Sequence, residues 1–364
     1  MPKNIRADRR SFLRTSAIAG TALVASTSMP LAEVAGDVPI TSGDIAILRL
    51  FAALEILETD FWQQYNELGG VQDSEVPGGS GNPAYTEALK NLDADMDVYI
   101  HDNTDDEFTH FDFINAYLVL KSAQPISLER FRTLPGSQAT GADKTRKRLT
   151  NLLQLTVDTS WWTRYRDGSH NPDIDGFSVF PQAVPDLANG KFQAIPKNDA
   201  DTTNATHLQA IANTAAFHFA AIEQAGSSLY PTLALKASNM EVLRILLSIG
   251  PSETMHFQTW QDKAGNAPAL TDPTNGLTFP DLTKPSVGEL FRNNLIMPEP
   301  CPFISRKLPR CAVIRPVSTS AGIFGAVVAV EGLIASGLFS GQSLGFLDFI
   351  LGLARRADAA SRHF

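Results

Sequence analysis

Cysteine is nearly absent from this chain of 364 residues, which has only Cys301 and Cys311, both in a proline-rich stretch. With no second pair beside them, a zinc ribbon and a disulfide-built scaffold are excluded. What remains open is one bridge closing a short loop or two separate thiols. Basic residues are outnumbered, 30 Lys and Arg against 39 Asp and Glu, for a formal charge of −9. They form no cluster beyond the extreme N-terminus, which argues against nucleic acid as a partner. No phosphate-binding loop, Gly-x-Ser-x-Gly elbow or Cys-x-x-Cys pair occurs. Gly78-Gly79-Ser80-Gly81 lacks a preceding strand and a lysine, so it reads as a flexible loop. Tyr and Trp are scarce, 6 and 4, against 21 Phe. Hydrophobic residues still make up 43% of the chain, enough for one large domain with extensions or for two small ones.

The N-terminus reads as a targeting segment. Arg9-Arg10-Ser11-Phe12-Leu13-Arg14 is followed by a mildly apolar run, Ser16 to Ala25, too short to span a bilayer. The pattern resembles a bacterial twin-arginine export signal over residues 1–35, although Asp8 stands where Ser or Thr is usual. It implies a periplasmic or secreted protein and the twin-arginine machinery as a partner.

Helical periodicity dominates the chain from residue 42 onward. Residues 42–68 read as one helix, with Leu48, Phe51, Ala52, Glu55, Thr59 and Trp62 on one face. A second runs from Pro83 to about Ala123, its inner stripe being Met96, Ile100, Asn103, Glu107, His110, Ile114 and Leu118. The poor helix formers from Asp102 to Asp106 suggest a break at 101–104. Residues 124–203 form a long crossing segment with a helix expected from Asp143 to Arg166 and short strands after it. A third helix is expected from Asn204 to Ser228 and a fourth from Ser238 to Lys263, bent or interrupted at Gly250-Pro251. The tail, 264–364, is proline-rich to 317. Beyond it lie two apolar segments, 319–339 and 343–361. The first reads either as a membrane span or as a helix docking on the bundle or on another subunit.

The chemistry concentrates in a repeated motif. Glu107-Phe108-Thr109-His110 and Glu253-Thr254-Met255-His256 are both Glu-x-x-His, which puts a carboxylate and an imidazole on one helix face. Random pairing gives well under one such motif in a chain with 7 His. The other two helices each carry one glutamate in a matching context, Ala52-Ala53-Leu54-Glu55 and Ala220-Ala221-Ile222-Glu223, which implies an internal duplication. Glu58 competes with Glu55, but the match to Glu223 favours Glu55 and makes Glu58 a neighbour or a surface group. Asp60 and Asp106 read as solvated or capping groups, and His101, His207 and His218 as surface or satisfied histidines. Trp62, Tyr99, Trp260 and Tyr230 read as core packing. Four carboxylates and two imidazoles suit two divalent ions, iron or manganese rather than copper, in a nearly neutral buried site.

The order Glu, Glu-x-x-His, Glu, Glu-x-x-His over residues 40–263 resembles the ferritin-like di-metal carboxylate superfamily. With the leader and the tail, the layout is most similar to exported ferritin-like proteins related to desiccation-stress proteins. The resemblance implies an all-α four-helix bundle with a long crossover (124–203) between helices two and three and a C-terminal extension (264–364). It implies Glu55, Glu107, His110, Glu223, Glu253 and His256 as ligands of two Fe or two Mn ions, with Glu107 and Glu253 bridging. It further implies reaction with dioxygen or peroxide, as ferroxidase, peroxide remover or oxidase. The alternative is a non-catalytic stress protein with a structural or vestigial metal. Homo-oligomerisation would run through the extension.

Overall fold

Three of the long helices begin at a side chain that caps them. In the computed structural model, Thr41 and Asp44 form a capping box at the start of α1, Ser42–Gly69. Asn82 caps α2, Pro83–Lys90, with proline in its first turn. Asn204 caps α6, Ala205–Ala234, and Asn239 caps α7, Met240–Gly265. Between these lie α3, Met96–Leu120, and the short α4, Ser160–Arg164, and α5, Pro185–Asn189. The last helices are α8, Ala326–Ala335, and α9, Leu344–Asp358. The structure describes residues 39–164, 180–284, 300–301, 307, 311–312 and 325–363. The export-signal reading of residues 1–35 lies outside them.

The four long helices form an antiparallel bundle. Thr104 bonds the Trp62 carbonyl while His110 faces Glu55, so α1 and α3 run in opposite directions. Trp62 meets Glu223 while Tyr230 meets Glu55, so α1 and α6 do too. Trp260 meets Asn103 while Glu241 meets Tyr117, which makes α3 and α7 antiparallel. α3 therefore ends at the opposite end of the bundle from where α6 begins, and the long connection must travel the bundle's length. Gly226 and Gly250 let α6 and α7 close on each other. A β-carbon on Gly226 would lie 3.0 Å from Glu253 Oε2, and one on Gly250 only 2.7 Å from the Tyr230 β-carbon.

Several local expectations need correction. The second helix breaks at 91–95 rather than at 101–104. Asp93 accepts the Asp95 amide and competes with the helix, whereas Asn103 and Thr104 are buried and held by tertiary bonds. The expected helix from Asp143 to Arg166 is absent over residues 143–159. There the amides bond outward, Leu149 and Thr150 to Asp60, Asn151 to Leu338, and Thr156 to Ser336. Isolated bridges pair Leu134 with Arg148 and Leu155 with Phe192, and of these positions only Phe192 lies in the stretch after Arg166 where short strands were expected. α6 runs on to Ala234, and α7 continues unbroken through Pro251.

The tail docks on the bundle. α9 packs on α1 and α8, and α8 on α6. Asp358 of α9 accepts the Ala326 and Val327 amides, capping α8 from outside. Among the described residues no helix is long and apolar enough to cross a membrane. Two-residue ladders pair β1, Leu270–Thr271, with β2, Thr278–Phe279, and β3, Pro300–Cys301, with β4, Cys311–Ala312. The second sets the backbones of Cys301 and Cys311 opposite each other; their side chains lie outside the described set.

Candidate metal centre

The six residues picked out by spacing meet inside the bundle. α1 contributes Glu55, α3 Glu107 and His110, α6 Glu223, and α7 Glu253 and His256. Their donor atoms form two overlapping groups, Glu55, Glu107, His110 and Glu253, and Glu107, Glu223, Glu253 and His256. Within each group one atom per residue lies within 4.8 Å of the others. Glu107 and Glu253 belong to both. All six are buried, and the most accessible, His110, is only 9% exposed.

Both imidazoles turn Nδ1 inward. His110 Nδ1 lies 3.0 Å from Glu107, 3.2 Å from Glu55 and 3.3 Å from Glu253. His256 Nδ1 lies 3.2 Å from Glu107, 3.3 Å from Glu223 and 4.0 Å from Glu253. Each outer Nε2 has its own partner, Ser252 Oγ for His110 and Asp106 for His256, both at 3.2 Å. Those partners fix the ring orientation.

The carboxylates are held in the same way. Trp62 Nε1 donates to Glu223 at 2.9 Å, and Asn103 donates to Glu107 at 2.9 Å and to Glu223 at 3.3 Å. Trp260 Nε1 donates to Asn103 at 2.7 Å and so fixes its amide. The Tyr230 hydroxyl donates to Glu55 while its ring stacks on Phe51. Trp62 and Trp260 stack at 5.1 Å, with Phe219 4.7 Å from both. This aromatic wall keeps water from one side of the cluster. On another side, a cavity of about 30 Å³ reaches Glu55, Glu58 and Tyr230 and is bounded by Ala329 and Leu333 of α8.

Protons and repulsion share out the charge in the metal-free cluster. Burial pushes the Glu55 carboxyl up to about 7 despite the pull of His110. Burial and the carboxylates of Glu107, Glu55 and Glu223 hold Glu253 well above the ordinary range. Burial would raise Glu107 too, but the flanking imidazoles of His110 and His256 lower it. For His110, burial is overcome by Glu107 and Glu55, which lift it to about 12. His256 is raised in the same manner by Glu223, Asp106 and Glu107. Even so, both Glu253 oxygens, Glu223 Oε2 and His256 Nδ1 make no hydrogen bond. A buried polar atom left unsatisfied costs about 1–3 kcal/mol. Four of them converging on one point fit a cation, and the set of hard oxygens with two imidazoles fits divalent iron or manganese.

Some readings of single residues change. Asp106 is a partner of His256, not a solvated group. Asp60 is buried at 1% exposure and binds Arg132 and the amides of Leu149 and Thr150. Tyr230, Trp62 and Trp260 donate hydrogen bonds into the ligand shell as well as packing. Their signal was faint, a polar-tipped residue on an inward apolar stripe, as with Asn103. Glu58 is half-buried and stands outside both groups, as its competition with Glu55 suggested. The off-motif histidines stand outside both groups: His101 is held by Asp73 at 3.1 Å and His207 by Asp272 at 2.7 Å, while His218 meets the Tyr65 hydroxyl through Nδ1 at 2.9 Å and leaves Nε2 without a hydrogen bond.

No curated protein and no solved structure gives a significant match to this chain. A family profile does, that of the ferritin-like domain, over residues 43–266. That span holds all four long helices and all six clustered residues, and the chain belongs to the ferritin-like domain family.

Proposed function

We propose that this is an exported di-metal protein whose centre reacts with dioxygen or peroxide. One observation carries the reading: two four-residue donor groups share Glu107 and Glu253, and four of their buried polar atoms make no hydrogen bond. Glu55 and His110 would serve one ion, Glu223 and His256 the other, and Glu107 and Glu253 both. Bound iron or manganese supplies redox and Lewis-acid chemistry. The chain's own part is to hold and exclude. Trp62, Asn103 and Tyr230 fix the carboxylates, Asp106 and Ser252 fix the imidazoles, and the aromatic wall keeps bulk water out. Six ligands for two ions leave coordination positions for a small oxidant. The twin-arginine pair supports export of a folded, metal-loaded chain.

Metal analysis of the natively exported protein tests the centre, with about two Fe or Mn per chain expected. Adding Fe(II) to the metal-free protein in air should oxidise it faster than buffer does, or the manganese form should consume peroxide. A second reading, a non-catalytic stress protein with a structural metal, draws on the closure of the site, whose adjoining cavity is only about 30 Å³. Inertness of both metal forms at full occupancy would establish it.

A further inference from the structure

A second cavity, of about 210 Å³, lies between α1, α3 and the first stretch of the crossover. Its apolar lining is Ile56, Phe108, Phe111 and Leu128, and Phe108 and Phe111 pack with ring centres 6.2 Å apart. Asn115 holds the crossover wall in place, donating to the Ile126 carbonyl at 3.0 Å and accepting its amide at 2.8 Å. Two guanidinium groups border this space, and they differ. Arg132 is saturated, with Nε and one terminal nitrogen on Glu129 and the other on Asp60. Beside it, Arg148 is paired with Glu67. Arg146 is half-buried, and its guanidinium makes no hydrogen bond or ion pair with a described residue. Burial, then Arg132 and Arg148, push its affinity for its own proton down. Asp60, Glu67 and Glu129 attract Arg146 from a distance, but each is paired with Arg132 or Arg148, which leaves the Arg146 guanidinium without a hydrogen-bonded acid among the described residues.

A guanidinium with free donors on an apolar cavity defines a ligand by its chemistry. The planar fork suits a carboxylate, which takes two parallel hydrogen bonds. The lining suits a ring or a short chain. An engineered cavity of about 150 Å³ holds benzene, so this one has room for a ring with a short acid arm. A phosphate dianion would leave the apolar floor uncovered. We propose that this cavity binds a small monocarboxylate with an apolar body, its carboxylate on Arg146 and its body against Phe108, Phe111, Ile56 and Leu128. The site is separate from the metal centre and does not depend on it.

Calorimetric titration of the full chain with 3-phenylpropionate tests this, before and after chelation of metal, since a carboxylate could also bind a metal ion. We expect one saturable site of submillimolar affinity that persists in the chelated protein. Replacing the acid by 3-phenylpropionamide should weaken binding at least tenfold, and so should Arg146→Gln, which should fold normally because the Arg146 guanidinium makes no hydrogen bond or ion pair with a described residue. Leu128→Trp fills the cavity without touching Arg146 and should abolish binding. The proposal is overturned by any of four results: no saturation up to about 10 mM, equal affinity in Arg146→Gln, loss of the site on chelation, or inorganic phosphate binding as well as the acid.

Discussion

Glu253 and Asp60 are both buried carboxylates in the same bundle, and their surroundings could hardly differ more. Asp60 has one oxygen on Arg132 and the other accepting the Leu149 and Thr150 amides and the Thr150 hydroxyl. The protein itself answers its charge, and the result is a clamp that ties the crossover to α1. Glu253 lies among three other carboxylates, and neither of its oxygens has a hydrogen bond. The chain can satisfy a buried acid when holding structure is the acid's whole task. Where it leaves four polar atoms open within one cluster of carboxylates and imidazoles, the arrangement could hold a cation that the chain does not supply.

The sharpest way to break the comparison is to delete each acid. Asp60→Ala should cost about 3–5 kcal/mol in a denaturant titration, because it strands Arg132 and frees two amides. Glu253→Ala in metal-free protein should be neutral or stabilising in the same titration, since it removes a repelled group. Equal losses in the two variants would dissolve the distinction. With metal present the order reverses for binding: Glu253→Ala should weaken metal affinity more than 100-fold, as a shared ligand is lost, while Asp60→Ala leaves it within a few-fold.

Smaller effects should come from the groups that hold the ligands. Trp62→Phe and Asp106→Ala each remove one hydrogen bond to a residue of the cluster and should weaken metal binding about 10–100-fold, read by competition with a chelator. Glu58→Gln, outside both donor groups, should change it less than either.

The smallest expected effect is on pH dependence. Metal must displace protons held in the free cluster, so affinity rises with pH, about tenfold per pH unit for each proton displaced. Glu55, raised to about 7, holds a proton only below that value, whereas His110, raised to about 12, holds one throughout the working range. The slope of log affinity against pH should therefore be steeper by one below pH 7 than above it. The same shift destabilises the metal-free fold. The folded state binds the Glu55 proton more tightly than the unfolded chain does, so its contribution falls as pH rises from 4.5 to about 7 and is flat above that. A constant affinity slope from pH 5 to pH 9 would remove Glu55 as a proton-holding ligand.

How much of this was legible in the sequence depends on which forces are local. The clustered residues repeat at helical spacing, so the meeting of Glu107, His110, Glu253 and His256 could be read directly, and Glu55 emerged from its match to Glu223. The donors around them could not. Trp62 reaches Glu223 across 161 residues and Tyr230 reaches Glu55 across 175, with no motif linking either pair. The crossover misled for the opposite reason. Residues 143–159 look locally helical, but Asp60, Leu338 and Ser336 claim their amides, and that competition is tertiary. The break at 91–95 came from the preference of Asp93 for backbone amides, while Asn103 and Thr104 were rescued by burial.

The even division of ligands between the two helix pairs has a consequence for how the chain folds. α1 with α3 brings Glu55, Glu107 and His110, and α6 with α7 brings Glu223, Glu253 and His256. Each pair closes a modest loop, as the 55-residue separation of Glu55 and His110 shows, and is expected to form early. The contacts that join the pairs are the distant ones, Trp62 to Glu223 and Tyr230 to Glu55. Neither pair alone holds more than three ligands, so the complete donor set comes into being only when the two halves dock. Cation uptake would then act as a latch on the last assembly step. In pulsed hydrogen exchange during refolding, added metal should slow reopening of the α1–α6 and α3–α7 faces while leaving the formation of each pair unchanged.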